Sequence, residues 1–372
     1  MSWSEWLDEQ AAARDQTGLR RFLRPRPADD DLIDLAGNDY LGLSRDPAVI
    51  DGAADAARVW GAGSGASRLV SGTLELHQEL ELELADYTGQ PAALVLSTGY
   101  HANLAVVTAL ADRDTLIVSD AHIHASLVDA VRLSRAQLAV VPHSDVAAVR
   151  SALAGWPGRS LVLAESIYSV LGDRAPLSDL AAACAKHGAL LVVDEAHGLG
   201  VHGPGLVHAD GLAGLPHVVL TLTLSKAIGS QGGAVLGSPA LIDHLVNRAR
   251  PFIFDTALAP AAAGAALSAL AEIRRRPQLA DVVRRRMHDL AASLGVGPSA
   301  GAVLSVPMPS PQAAVAAQAA TLRQGVRVGC FRPPSVPDGI SRLRITVSAG
   351  VGDDDWRRAT EVLVAVAKEH SG

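Results

Sequence analysis

The sequence is short of the features that mark several functional classes. Its two cysteines, Cys184 and Cys330, are far apart and have no metal-ligand spacing. Each reads as a small packed hydrophobe in a reducing compartment. No set of histidine, cysteine and carboxylate residues is spaced for a metal, so none is expected. Aromatics make up only 3% of the chain, while alanine and glycine are abundant, which suits helices packed closely on a sheet. There is no basic excess: the formal charge is −7, which gives no electrostatic case for nucleic acid or a membrane surface. No apolar run approaches the roughly 18 residues of a membrane helix. The polar start Met1-Ser-Trp-Ser-Glu-Trp6 lacks the basic and apolar regions of a signal peptide, so a soluble, cytoplasmic protein is expected. No Gly-x-Ser-x-Gly elbow of a serine hydrolase is present.

What is present is a hydrophobic share of 49% over 372 residues, enough for one large domain and a smaller one. Residues 2–24 read as a charged amphipathic helix ending in Arg20, Arg21 and Arg24, broken by Pro25 and Pro27. A short strand is expected at 32–36. The glycine-rich run 61–72, which contains Arg68, reads as a flexible connector. Beyond residue 73, strands at 92–96, 115–118, 138–141, 160–164, 189–193, 218–223 and 234–236 alternate mostly with helical stretches. Uninterrupted apolar strands joined by helices predict an α/β fold, a mainly parallel sheet covered on both faces. Helical sequence follows at about 259–294, and short strands with a terminal helix from Asp353 suggest a small α+β domain. The expected division is an N-terminal helix and arm (1–45), a large domain (46–258), and a linking helix with the small domain (259–372).

In a parallel sheet the ligand site lies at the carboxyl ends of the strands, and the polar residues of interest fall there. The strand ending at Thr223 leads to Ser225-Lys226 and then glycines. A lysine at a crowded strand tip has its pKa lowered by desolvation or a nearby cation and can form an imine with an aldehyde; a solvated surface lysine is the plainer reading. Val192-Val193-Asp194-Glu195-Ala196-His197-Gly198 places a carboxylate at a buried strand end, where it needs a partner. A protonated ring nitrogen is a good one, so Asp194 with Lys226 points to pyridoxal phosphate. A helix cap or ion pair is the alternative for Asp194, and a packed core histidine for His197. Gly198-Leu-Gly200-Val-His-Gly203 matches a dinucleotide fingerprint, but Pro204 and Gly205 follow and open no helix. Ser97-Thr98-Gly99-Tyr100 lies between strand and helix, where backbone N–H groups bind phosphate. Asp120-Ala-His122-Ile-His124 offers two histidines, of which His122 reads as a polar loop residue.

Taken together, Gly65-Ala-Ser67-Arg68-Leu69, Asp120-x-x-x-His124-Ala-Ser126, Asp194-Glu-Ala-His197-Gly198 and Thr223-Leu-Ser-Lys226 resemble the α-oxoamine synthases, a pyridoxal-phosphate family of fold type I. The resemblance runs from Asn38-Asp-Tyr-Leu-Gly-Leu43 to Arg342-Leu-Arg344. It is strongest toward the biotin-pathway member, through Leu19-Arg20-Arg21 and Arg332-Pro-Pro334-Ser-Val-Pro337. It implies a homodimeric acyltransferase that condenses L-alanine with a pimeloyl thioester, on coenzyme A or a carrier protein, with loss of CO2. A sister synthase using glycine or serine, or a non-catalytic cofactor-binding protein, are the rival readings. The resemblance gives Lys226 the covalent link to the cofactor, Asp194 its ring nitrogen, His124 its ring face and His197 with Ser169 its phenolic oxygen. Gly99, Tyr100 and Thr223 would hold the phosphate. Asn38 and Arg344 would hold the amino acid's carboxylate, and Arg20 would meet the acyl chain. Thr256 would reach the partner subunit's phosphate. Asp255 stands where the family has Ser or Thr, and a carboxylate there would repel that phosphate. Val170-Leu171-Gly172 replaces Met-Asp-Gly, and Gly37 replaces a serine.

Overall fold

The structure, a computed structural model, describes residues 1–16, 20–21, 23–333, 336 and 338–370. Leu19, Pro334, Ser335 and Pro337, which carry part of the resemblance, lie outside the described residues. The chain divides into two compact units, Met1–Leu32 and Ile33–Gly372.

In the first unit the helix covers Trp3–Gln16 and buries no residue. It is shorter than the 2–24 expected from sequence, since the described residues between 20 and 27 are not helical. A helix without an apolar face to bury depends on local propensity alone, and the sequence carries Gly18 just beyond it.

The second unit contains two sheets. The larger comprises β2 (Ala92–Leu96), β3 (Thr115–Asp120), β4 (Gln137–Val141), β5 (Arg159–Glu165), β6 (Leu190–Asp194), β7 (Val218–Thr223) and β8 (Gly233–Gly237), in the order β2-β8-β7-β6-β5-β3-β4. Among these described strands only β8 runs against the others. The smaller joins β1 (Ile33–Leu35), β10 (Val326–Phe331), β11 (Arg342–Thr346) and β9 (Val303–Pro307), with β1 parallel to β10 and the other pairs antiparallel.

Strand side chains alternate between faces, and both faces of the large sheet are covered. Leu161, Leu163, Val192, Val219 and Val235 pack into one apolar layer. Their neighbours Val162, Ala164, Leu191, Val193, Leu220 and Ala234 pack into the other. This is why the central strands read as unbroken apolar runs. The expected helical region at 259–294 is two helices, Pro260–Arg275 and Gln278–Leu294, separated at Pro277.

The segment 61–72 is more than a connector. Its end, Arg68–Gly72, forms a wide helical turn. Arg68 is buried there, with its guanidinium held by Glu81 at 2.9 and 3.2 Å and by the Val95 carbonyl at 3.4 Å. A buried guanidinium needs such partners, and Glu81 lies on the helix Glu75–Thr88, where a reading of the loop alone does not look.

Candidate active site

Four parallel strands end in polar residues at one edge of the sheet: β3 in Asp120, β5 in Glu165, β6 in Asp194 and β7 in Thr223. Glu165 and Asp194 are register partners, and Asp194 in turn pairs with Thr221. Over this edge lies a cavity of 230 Å³, lined among others by Gly99, Tyr100, His124, Asp194, His197, Thr223 and Lys226. Residues from 99 to 226 in the chain meet here because parallel strands deliver their ends to the same side.

Asp194 is buried and accepts hydrogen bonds from Asn103 Nδ2 at 2.8 Å and from the Ala196 N–H at 2.9 Å. Asn103 also donates to Ser126 Oγ at 2.8 Å, and its carbonyl accepts the Thr221 hydroxyl at 2.6 Å. Asn103 therefore fixes the carboxylate, a role that no motif in the sequence marks. The available signal is its place four residues after Gly99, one helical turn into the helix Gly99–Leu110 and on the same face. Thr98 caps that helix, its hydroxyl accepting from the His101 N–H at 3.0 Å. The N–H groups of Gly99 and Tyr100 remain at the open helix end, where the dipole favours an anion. The Tyr100 phenol points elsewhere, donating to Asp129 at 2.6 Å.

Lys226 faces the cavity, with dense protein around its amine. Burial lowers its pKa, opposed by the nearby charges of Asp194 and Glu165. His124 Nδ1 lies 2.8 Å from Ser126 Oγ and accepts the Ser126 N–H at 3.2 Å. Burial also lowers its pKa, aided by Lys226 and opposed by Asp194. His197 is held well below the ordinary histidine value by burial first, then by Lys226 and Arg344, so the ring is neutral. Its Nδ1 lies 2.7 Å from the Tyr40 hydroxyl. Burial raises the pKa of that phenol, so it keeps its proton.

Tyr40 links the cavity to the remaining candidates. Its hydroxyl is 3.1 Å from Asn38 Oδ1, which accepts from Arg344 at 3.4 Å, while Arg344 Nε donates to the Ser169 carbonyl at 3.0 Å. Arg344 is buried and packs over Phe331. Asn38, Ser169 and Arg344 thus form one group beside the cavity wall, with Tyr40, which no motif singles out, as the connection. Arg20 lies in the first unit, where it pairs with Asp15 at 2.8 Å. Thr256 is exposed and bridges to Ser67. Asp255 does not stand as a bare carboxylate, because it accepts from Ser97 Oγ and lies 3.1 Å from His101 Nδ1. His122 lies in the turn after β3, as expected of a polar loop residue, and stacks on His143 with ring centroids 4.1 Å apart.

Glu165 is the titratable wall residue to which the sequence motifs give no role. One oxygen accepts the Ser169 N–H at 3.0 Å, and the other, Oε1, is buried without a hydrogen-bond partner among the described residues. Burial and then the Asp194 charge raise its pKa to about 8. The folded protein therefore keeps a proton that the unfolded chain loses near its ordinary value of about 4.3. Stability of the cofactor-free protein is expected to fall as pH rises from there to about 8. Glu165→Gln should flatten that decline, which melting temperatures across the range will test; an unchanged slope would contradict the assignment.

Two glycines let the start of the helix Gly99–Leu110 pack closely. A Cβ on Gly233 would lie 2.4 Å from the Gly99 nitrogen and 2.5 Å from Thr98 backbone atoms, and a Cβ on Gly99 would lie 2.8 Å from Thr223 Cβ. Gly233→Ala is expected to cost about 1–3 kcal/mol of stability and to weaken anion binding at the helix start. Thermal melts combined with phosphate-ester titration will check this, and unchanged affinity would count against the site.

Comparison with known proteins places this geometry. The sequence profile of the family described as aminotransferase class I and II matches residues 30–363. The 8-amino-7-oxononanoate synthase of Mycobacterium marinum is 54% identical over 365 residues, covering 97% of this chain and 94% of that protein. The enzyme of the same name from Mycolicibacterium gilvum is 55% identical over 367 residues, covering 97% and 96%. Among solved structures, a serine palmitoyltransferase from S. paucimobilis with a bound PLP–myriocin aldimine superposes with a TM-score of 0.90 at 28% identity, over 99% of both chains. An 8-amino-7-oxononanoate synthase from Francisella tularensis gives 0.78 at 25% identity, over 92% of this chain and 99% of its own.

Proposed function

The chain belongs to the class I and II aminotransferase family, and from that premise we propose how its cavity performs the 8-amino-7-oxononanoate synthase reaction. It is a pyridoxal-phosphate-dependent acyltransferase of biotin biosynthesis, condensing L-alanine with a pimeloyl thioester and releasing CO2 and a thiol. The residues fit that cofactor. The wall holds a buried carboxylate for a ring nitrogen, an orphaned Glu165 oxygen, a lysine of lowered pKa, and a helix start shaped by two glycines. When bound, pyridoxal phosphate supplies an electron sink for negative charge at the amino acid's Cα.

The remaining work falls to the chain. Lys226 would hold the cofactor through its aldehyde carbon and would take the Cα proton of alanine; burial lowers its pKa and so favours the free amine. Asp194, fixed by Asn103 and Ala196, would hold the ring nitrogen and keep it protonated. His124 covers the ring face. Neutral His197, whose Nδ1 meets the Tyr40 hydroxyl, and Ser169 would hold the phenolic oxygen. Gly99 and Tyr100 would bind the phosphate through their amides, helped by Thr223. Arg344, oriented by Ser169 and Asn38, takes the alanine carboxylate with a planar fork that lysine lacks. Arg20 meets the acyl chain. Thr256 contributes to the phosphate site of the partner in a homodimer.

The observation that carries this reading is the meeting of Lys226, Asp194, His124 and His197 around one cavity. Its test is product analysis with alanine, glycine or serine, each offered with pimeloyl-CoA and with a pimeloyl carrier protein. CO2 release and a nine-carbon amino-oxo acid, formed with alanine alone, are expected. The structural likeness to serine palmitoyltransferase favours a second reading, a sister synthase, and serine or glycine turnover would select it. No turnover with any of the three would overturn both.

A further inference from the structure

One dense group of titratable side chains has no part in the chemistry above. His143 follows β4, and each of its ring nitrogens meets a carboxylate: Nδ1 lies 2.9 Å from Asp120 Oδ1 and Nε2 lies 2.7 Å from Asp173 Oδ2. A neutral imidazole has one N–H and cannot donate to both, whereas an imidazolium can. Burial acts to lower the His143 pKa, but the bonds to Asp120 and Asp173 outweigh it and raise the value. Asp120 is further held by the N–H groups of His122 and Ser144, each at 2.7 Å, and by the Tyr168 hydroxyl at 2.9 Å. The ring of His122 stacks on His143, and that of Tyr168 meets it edge-on with centroids 4.4 Å apart. Asp338, before β11, adds its charge to the field at His122 and is itself paired with Arg342.

The two carboxylates belong to different turns. Asp120 opens the turn that ends in His124. Asp173 closes the turn that starts at Tyr168, with the Tyr168 N–H donating to the Asp173 carbonyl at 2.9 Å and the Gly172 N–H to the Tyr168 carbonyl at 2.8 Å. That second turn carries Ser169, whose carbonyl orients Arg344 and whose N–H binds Glu165.

We infer that His143 is a positioning residue that clamps the turn carrying His124 to the turn carrying Ser169, donating from both ring nitrogens and so holding the ring-covering histidine in register with the carboxylate-binding arginine. The inference rests on the function proposed above. The clamp is intact while His143 is protonated. Its contribution to stability is complete below the ordinary histidine value of about 6.5 and is lost as pH rises through the raised folded value.

The test uses cofactor-loaded protein. His143→Gln keeps a donor but not the second bond or the charge. Its KM for alanine should rise by about tenfold to a hundredfold, in line with misplacement of a binding group, while cofactor content stays at the wild-type level. Asp173→Asn is the second variant: it keeps an acceptor, its activity should match wild type on the acid side, and it should fail at lower pH than wild type on the alkaline side. Losses that only track the folded fraction, with wild-type KM and pH profile in both variants, would overturn the clamp. A nitrogen-15 spectrum of the His143 ring decides it independently of turnover: two protonated nitrogens near neutrality support the clamp, and one overturns it. If the wild-type protein turns over no amino acid, the proposed function fails and this spectrum still stands as the judgement on His143.

Discussion

Lys226→Ala is expected to abolish turnover, by roughly four orders of magnitude or more, and to remove the visible absorbance of covalently held cofactor. The size follows from the lack of a substitute. The chain has three lysines, and the others, Lys186 and Lys368, are exposed on the helices Leu177–His187 and Asp353–His370. Neither lies in the cavity wall. Alanine removes the amine and leaves Asp194 and Glu165 without the cation that moderates them. Non-covalent hold by the helix start, Thr223 and Asp194 should survive, so the variant should still bind cofactor, released on denaturation as the free aldehyde. Borohydride treatment of the wild type should label one peptide, the one containing Lys226. Near-normal turnover in the variant, or label on another lysine, would refute the assignment.

Asp194→Asn is expected to lower turnover by about a hundredfold to a thousandfold, the scale of losing one charge-stabilising group in a closed site. The substitution preserves volume and an acceptor for Asn103, so folding should be little affected. Under the proposed function, the negative charge that would face the ring nitrogen goes, and with it the reason for that nitrogen to stay protonated. Two neighbours report the change. Asp194 helps raise the Glu165 pKa and opposes the lowering at Lys226, so both values should drop in the variant. The alkaline and acid limbs of the pH profile should then move together toward lower pH. Unchanged turnover would show that the carboxylate does not face the cofactor ring.

The strand ends are legible in the sequence because parallel strands announce themselves as short apolar runs and place their next polar residue at the site. Asp194 and Lys226 stand out on that ground, and the cavity gathers them with Gly99, His124, His197 and Thr223. What stays hidden depends on partners distant in the chain. Tyr40 meets His197 across 157 positions, and His143 meets Asp173 across 30; no local spacing encodes either contact. Arg68 reads as mobile because glycines surround it, yet Glu81 anchors it. The N-terminal helix reads too long because its charge pattern suggests a face that nothing buries.

The reversed strand β8 imposes an order on biosynthesis. In the large sheet β2 is hydrogen-bonded to β8 and to no other described strand, with Leu96 opposite Gly233. The loop that leads from β2 to the helix Gly99–Leu110 therefore gains its sheet support only after the ribosome has added β8, later than Lys226 itself. Cofactor capture is thus expected late in the life of a nascent chain: one from which Lys226 but not yet β8 has left the ribosome should display the reactive amine with an incomplete anion cradle.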